Sequence, residues 1–209
     1  MSKIDEIKQT VETGKSKLIE GLVADALAEG LDPTKILNSM IDAMAVIGEK
    51  FQKAEVFVPE MLVAARTMKK GVEVLKPKLA AGASTSLGKC IIGTVHGDLH
   101  DIGKNLVALM IESAGFEVID LGVDVTAETF LNSIKANPDV KVVALSCLLT
   151  TTMPSLKEIA AAVKGSPVKS FKLIIGGAPI TQDFANQVGA DGFTTDAAGA
   201  AQLAKKLAS

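Results

Sequence analysis

Histidine is scarce in this 209-residue chain. There are two, His96 and His100, and both fall in the stretch His96-Gly-Asp-Leu-His-Asp-Ile-Gly103. An imidazole among carboxylates can ligate a metal. A metal-bound imidazole generally donates its second ring N–H to an acceptor, which fixes the tautomer and raises the basicity of the ligating nitrogen. Asp98 lies two residues before His100, so in an extended loop both side chains lean the same way. Gly103 would let a bulky planar ligand approach the backbone closely. These residues can place one imidazole on a metal, but they cannot supply the three or four ligands of a zinc site. A single protein ligand implies a macrocycle in the remaining positions. Simpler readings stand beside this one. A glycine-containing loop after a strand often cradles phosphate, although neither G-x-G-x-x-G nor the Walker sequence is present. Asp98 and Asp101 could cap a helix start, where carboxylates are favoured. A loop histidine is commonly just solvated.

The patterning around this stretch assigns it to a loop. From residue 89 on, short β-branched runs alternate with amphipathic segments. Strands are expected at Cys90–Val95, Glu117–Leu121, Val140–Leu145, Phe171–Ile175 and, weakly, Gly192–Thr194. Helices are expected at Ile102–Ser113, Thr126–Asn137, Pro154–Val163, Ile180–Val188 and Asp196–Leu207. Strand and helix repeated five times predict a parallel sheet covered on both faces. Ligands of such sheets bind beyond the carboxyl ends of the strands, so the loop holding both histidines, after the first strand, is the expected site.

Residues 1–76 read differently. Apolar residues at helical spacing run through Ile4, Ile7 and Val11, then Leu18 to Leu27, then Ile36, Leu37, Met40, Ile41, Met44, Ile47 and Phe51, and again from Met61 to Leu75. Gly30 is a plausible helix stop, Asp32-Pro33 an N-cap with a first-turn proline, and Phe57-Val58-Pro59-Glu60 another helix start. Three or four helices with short connections predict a small bundle. Between the halves, 77–88 is rich in Gly, Ser, Ala and Pro and reads as a linker.

Composition narrows the function classes. A net charge of −2 offers no basic face for nucleic acid. The absence of Trp and Tyr leaves few platforms for base stacking. No apolar run reaches the roughly 18–20 residues of a membrane span. The polar start Met1-Ser-Lys-Ile-Asp-Glu lacks a secretion signal's apolar stretch, and two distant cysteines make no disulfide framework. A cytoplasmic protein is the expectation.

Asp98-Leu-His-Asp-Ile-Gly103 resembles the D-x-H-x-x-G signature of cobalamin-binding domains such as those of methionine synthase and corrinoid methyltransferase proteins. Two further elements of that family follow in order, Ser146-Cys-Leu148 (S-x-L) and Gly176-Gly177, each at an expected strand end. The resemblance implies a helical cap followed by a Rossmann-like (flavodoxin-type) five-stranded parallel α/β domain. It also implies cobalamin or a related corrinoid bound base-off and His-on, with His100 as the lower ligand of cobalt. Asp98 would be the hydrogen-bond partner of His100. The relay hydroxyl six residues after Ser146 falls on Thr152, where the family commonly has Ser. Ser146 would contact the base of the cofactor's tail, and Gly176 and Gly177 would leave it room. Asp101, Ile102, Gly103, Leu148 and Thr150 complete the expected cofactor contacts. Cys147 reads as a packing residue. Gly48–Pro59 resembles the cap segment that covers the upper corrin face, with Phe51 and Val58 as the covering residues.

Cap plus corrinoid domain, without a catalytic barrel, resembles the stand-alone corrinoid proteins of methanogens and acetogens. Those serve methanol, methylamine, betaine or methoxyaromatic methyltransferases. The implied function is to carry a methyl group on cobalt between a substrate:corrinoid methyltransferase and a corrinoid:coenzyme M or corrinoid:tetrahydrofolate methyltransferase, with a reductive activase as a further partner. The chain would be a carrying subunit rather than a catalyst alone. His100 would release and rebind during the cycle, with Asp98 handling the proton. A cobalamin-dependent regulator or sensor is the alternative, but the first 76 residues carry no basic recognition helix.

Overall fold

The computed structural model describes residues 2–79 and 86–208. The chain divides into two compact units, Met1–Thr85 with Ser113–Gly115, and Ser86–Glu112 with Phe116–Ser209.

The first unit contains four helices: α1 (Lys3–Glu12), α2 (Ile19–Ala28), α3 (Pro33–Gln52) and α4 (Val58–Leu79). Their ends follow from local chemistry. Ser2 and Asp5 form a reciprocal capping box at the start of α1. Gly30, at φ +82°, closes α2 in a Schellman turn, with Leu31 N–H donating to Ala26 O and Gly30 N–H to Leu27 O. The Asp32 carboxylate accepts the Thr34 amide and Pro33 opens α3, as expected. At the head of α4, the Glu60 carboxylate accepts the Phe57 amide at 2.8 Å. Ile7, Val11, Ile19, Val23, Ile36, Met40, Met61 and Leu75 are completely buried or nearly so and form the bundle core.

At the end of this unit a boundary differs from the expectation. The linker was expected from residue 77, but α4 runs through Pro77 to Leu79. Pro77 removes only the hydrogen bond to Glu73 O in the last turn of a long helix, so the helix tolerates it there. Residues 80–85 of that expected linker lie outside the described residues.

The second unit is a five-stranded, wholly parallel sheet in the order β2-β1-β3-β4-β5. The strands are β1 (Lys89–Thr94), β2 (Glu117–Asp120), β3 (Val140–Ser146), β4 (Lys172–Gly176) and β5 (Gly192–Phe193). The connecting and closing helices are α5 (Ile102–Ser113), α6 (Ala127–Ala136), α7 (Met153–Lys164), α8 (Gln182–Gln187) and α9 (Ala197–Ala208). A single 3₁₀ turn, Thr150–Thr152, precedes α7. Ile91, Val143, Leu145, Leu173 and Ile175 pack with Phe130 and Ile134 of α6 and Leu156, Ile159 and Val163 of α7. The alternate residues Ile92, Val142, Ala144 and Ile174 serve the opposite face, and α9 packs against β3 and β4.

This strand order is the flavodoxin-like one, and its winding reverses between β1 and β3. Register then aligns three positions across the carboxyl ends: Thr94 of β1 pairs with Ser146 of β3, and Ser146 with Gly176 of β4. All three motifs picked out in the sequence therefore meet at one edge of the sheet.

Candidate functional site

The site begins with a tight turn. After β1 the chain reverses over Val95–Asp98, closed by Asp98 N–H donating to Val95 O at 3.1 Å. Gly97, its third residue, has φ +84°, the conformation a type II turn demands there. Beyond that turn, Asp98 and His100, two residues apart, meet through their side chains, as the spacing suggested. One carboxylate oxygen, Oδ1, takes both the His100 amide at 3.1 Å and the ring Nδ1 at 2.7 Å.

Asp98 is completely buried. Its other oxygen, Oδ2, accepts the Leu148 amide at 2.7 Å and the Thr152 hydroxyl at 3.2 Å. Burial alone would push this carboxyl up. The Leu148 amide, the His100 ring and amide, and the Thr152 hydroxyl together outweigh burial and hold the pKa at about 2. A carboxylate that only accepts fixes the His100 proton on Nδ1. The lone pair is then on Nε2. The His100 carbonyl is also held, by the Thr94 hydroxyl at 2.9 Å. Nε2 is thus the one polar atom of His100 without a hydrogen-bond partner among the described residues, on a side chain 50% exposed.

Thr152 stands at the head of α7, where its side chain makes no capping bond and turns to Asp98 instead. Its hydroxyl has one proton and two acceptors in reach, Asp98 Oδ2 and Leu149 O at 3.0 Å. Cys147, buried and expected only to fill space, has its Sγ 3.2 Å from Thr152 Oγ1 and 3.3 Å from Leu149 O. Burial pushes the Cys147 thiol up, which keeps it protonated and able to donate.

The remaining expected residues fall around this dyad. Asp101 precedes α5 and accepts the Asn105 side-chain amide at 3.1 Å. A Cβ on Gly103 would meet nothing within 4 Å, so the space there is open. Ser146 is half-buried at the end of β3, and Thr150 is exposed in the 3₁₀ turn. Gly176 has room for a Cβ, its nearest neighbour being Thr194 O at 3.6 Å. Gly177, at φ +132°, has none: a Cβ would lie 1.7 Å from Cys147 O. The chain's own packing of β3 against β4 requires that glycine. Ile102 is 84% exposed and Leu99 72%, with Leu148 and Leu149 partly so, and together they give the His100 surroundings an apolar surface. In the helical unit Phe51 is half-buried in the last turn of α3, and Val58 and Phe57 are exposed at the head of α4.

Leu148, expected as a cofactor contact, also donates its amide to Asp98 Oδ2. Two contributors escaped sequence reasoning. Thr94 reads as an ordinary strand residue. Asp124, after β2, accepts the Gly97 amide and the His96 ring, both at 2.7 Å, while its own amide donates to Asp98 O. The Gly97 amide and then His96 hold the Asp124 carboxyl below its ordinary range. In the fold Asp124 takes φ +55°, a left-handed conformation that Asp tolerates better than most residues, and nothing in the sequence marks that position.

The donor set fits a metal that brings its own equatorial ligands. Among the described residues no group of three or more His, Cys, Asp or Glu could hold a bare ion, whereas His100 offers one oriented nitrogen on an apolar, half-open surface. No helix among the described residues is long and apolar enough to cross a membrane.

Comparison with known proteins agrees with this donor set. Residues 88–203 match the model of the B12 binding domain, and residues 3–76 match a second model of the same description. A corrinoid protein of Desulfitobacterium hafniense (strain Y51) is 36% identical over 99% of this chain and 98% of its own length. The trimethylamine corrinoid protein of Methanosarcina barkeri is 41% identical over 90% of this chain and 88% of its own. In the crystal structure of the methanol:cobalamin methyltransferase complex from Methanosarcina barkeri, one chain superposes with a TM-score of 0.84 at 27% identity, covering 99% of this chain and 79% of that one. With helical and α/β parts both matched, this chain belongs to the B12 binding domain family and is a corrinoid-binding protein.

Proposed function

We propose that this corrinoid protein carries a methyl group on cobalt between two methyltransferases, with His100 as the lower axial ligand in the base-off, His-on form. The observation that carries the reading is the His100–Asp98 pair at the strand ends, with Nδ1 locked and Nε2 open. When bound, the corrinoid supplies a cobalt that accepts and releases the methyl group.

The chain's own residues set ligation and access. Asp98 holds the proton on Nδ1 and steadies an imidazolium when His100 disengages and Nε2 takes up a proton. The Leu148 amide and Thr152 hydroxyl keep Asp98 ionised throughout. Leu99, Ile102, Leu148 and Leu149 offer an apolar bed for a planar ring. Ser146 and Gly176, paired at the ends of β3 and β4, would face the nucleotide tail, and the open space at Gly103 would admit the ring near the backbone. Phe51 and Val58 would form the cap that keeps water from the upper face.

The names of the relatives support a methylamine or methanol methyltransferase as donor partner. A corrinoid:coenzyme M or corrinoid:tetrahydrofolate methyltransferase would be the acceptor partner, and a reductive activase the rescuer of oxidised cobalt. The test is reconstitution with methylcobalamin followed by visible spectroscopy and methyl transfer with a partner enzyme. Wild type should give a nitrogen-ligated spectrum and His100→Ala a base-off one. An unchanged spectrum in that variant would refute the ligand assignment.

A further inference from the structure

The hydrogen-bond pattern around His100 contains a contact that neither the relay nor the cofactor motifs include. Thr94 is the last residue of β1, completely buried, and its hydroxyl donates to the His100 carbonyl at 2.9 Å. Asp98 already holds the amide and the ring of His100, so Thr94 fixes the one backbone group Asp98 does not. Thr94 is itself immobile. Its amide donates to Gly122 O at 3.0 Å and its carbonyl accepts the Val125 amide at 2.9 Å, and it sits in register with Ser146 of β3. From Gly122 the chain of contacts continues: the Gly122 amide donates to Asp120 at 2.9 Å, and Asp120 receives the buried ammonium of Lys104, four residues past His100. The loop bearing the imidazole is therefore tied to the sheet on both sides of His100.

We propose that Thr94 is a positioning residue for the axial ligand: its hydroxyl, by pinning the His100 carbonyl, sets the direction in which Nε2 points. The proposal rests on the His-on reading. Its physical content is that an imidazole aimed before ligation loses less entropy when it binds, and a loop free to rotate about His100 ligates more weakly.

Thr94→Val removes the hydroxyl while keeping the β-branched shape and strand propensity; Thr94→Ser keeps the hydroxyl and removes the methyl. In methylcobalamin-loaded full-length protein, the ratio of His-on to base-off form, read from the visible spectrum, should fall about tenfold in Thr94→Val. The pH midpoint between the two forms should then rise by about one unit. Thr94→Ser should stay within about twofold of wild type. A second readout needs no cofactor. In the apoprotein, backbone order parameters at His100 and Asp101 should drop from about 0.85 to below about 0.6 in Thr94→Val, and hold in Thr94→Ser. Unchanged order at those amides, or a midpoint equal to wild type in a Thr94→Val protein that loads normally, overturns the role of Thr94. His100→Ala run alongside separates the two claims. If it too keeps a nitrogen-ligated spectrum, the His-on reading fails, and the positioning role with it.

Discussion

Four donors converge on the two oxygens of buried Asp98, and this convergence determines how the site responds to acid. With a folded pKa of about 2, against about 3.9 in an unfolded chain, the ionised carboxylate favours the folded state. The contribution is complete above about pH 4 and is lost as pH falls through 2. Asp98→Asn should therefore cost on the order of 2 kcal/mol near neutrality, and the gap to wild type should close as pH drops toward 2 in denaturant titrations. A gap constant with pH would mean that the charge at Asp98 does not matter. Gly177 gives a sharper residue-level test. Alanine there would place a carbon 1.7 Å from Cys147 O at φ +132°, so Gly177→Ala should lose more than about 3 kcal/mol or fail to fold. Gly176→Ala meets only ordinary contact and should cost less than about 1.5 kcal/mol. Equal costs at the two positions would contradict the account of the β3–β4 approach. The resemblance picked out Asp98, His100 and Thr152, and the fold joins these three in one hydrogen-bonded group. It did not identify Thr94 or Asp124, because a threonine ending a strand and an aspartate in a loop fit any of several local roles, and only the folded turn selects one.

Elements were legible where periodicity was strong. The helix Ile102–Ser113 is found with the expected bounds, β1 and β4 are each shifted by one residue, and β3 is one residue longer at its end. Edges were harder. β5 keeps only Gly192 and Phe193, since a terminal strand has a partner on one side alone. The end of α4 was misjudged because Pro77 counts as a breaker in sequence, while in a last turn it sacrifices one bond. Two element-scale predictions follow from geometry. Ala54 closes α3 in a Schellman turn at φ +57°, with Glu55 N–H donating to Lys50 O and Ala54 N–H to Phe51 O. Ala54→Gly relieves that conformation and should raise stability by about 0.5–1 kcal/mol in thermal or denaturant unfolding. A loss of stability would show that the turn is not strained. Lys104, buried in the first turn of α5, is paired with Asp120 and with Asn105 Oδ1 at 2.7 Å. Asp120→Ala leaves a buried ammonium undercompensated and should cost about 3 kcal/mol, whereas Lys104→Met should cost under about 1 kcal/mol. The reverse order would contradict the burial of that charge.

At the scale of the molecule, the division into a helical unit and a parallel α/β unit was visible as a change in hydrophobic period near residue 89. The expected place of the site followed from the rule that ligands bind at the carboxyl ends of strands where winding reverses, and the motifs gather there. The sequence could not disclose that Thr94, Ser146 and Gly176 stand in one row, because register is set by pairing across strands. The proposed ligation needs one nitrogen of this chain to reach cobalt, and the presence of only two histidines makes that bond directly measurable. The protein is labelled with ¹⁵N-histidine, loaded with unlabelled cobalamin and reduced to the Co(II) form. Its electron paramagnetic resonance spectrum should then show axial superhyperfine lines split as doublets by ¹⁵N, and His96→Ala should leave them in place. Triplets from ¹⁴N would identify the cofactor's own benzimidazole on cobalt and contradict ligation by His100.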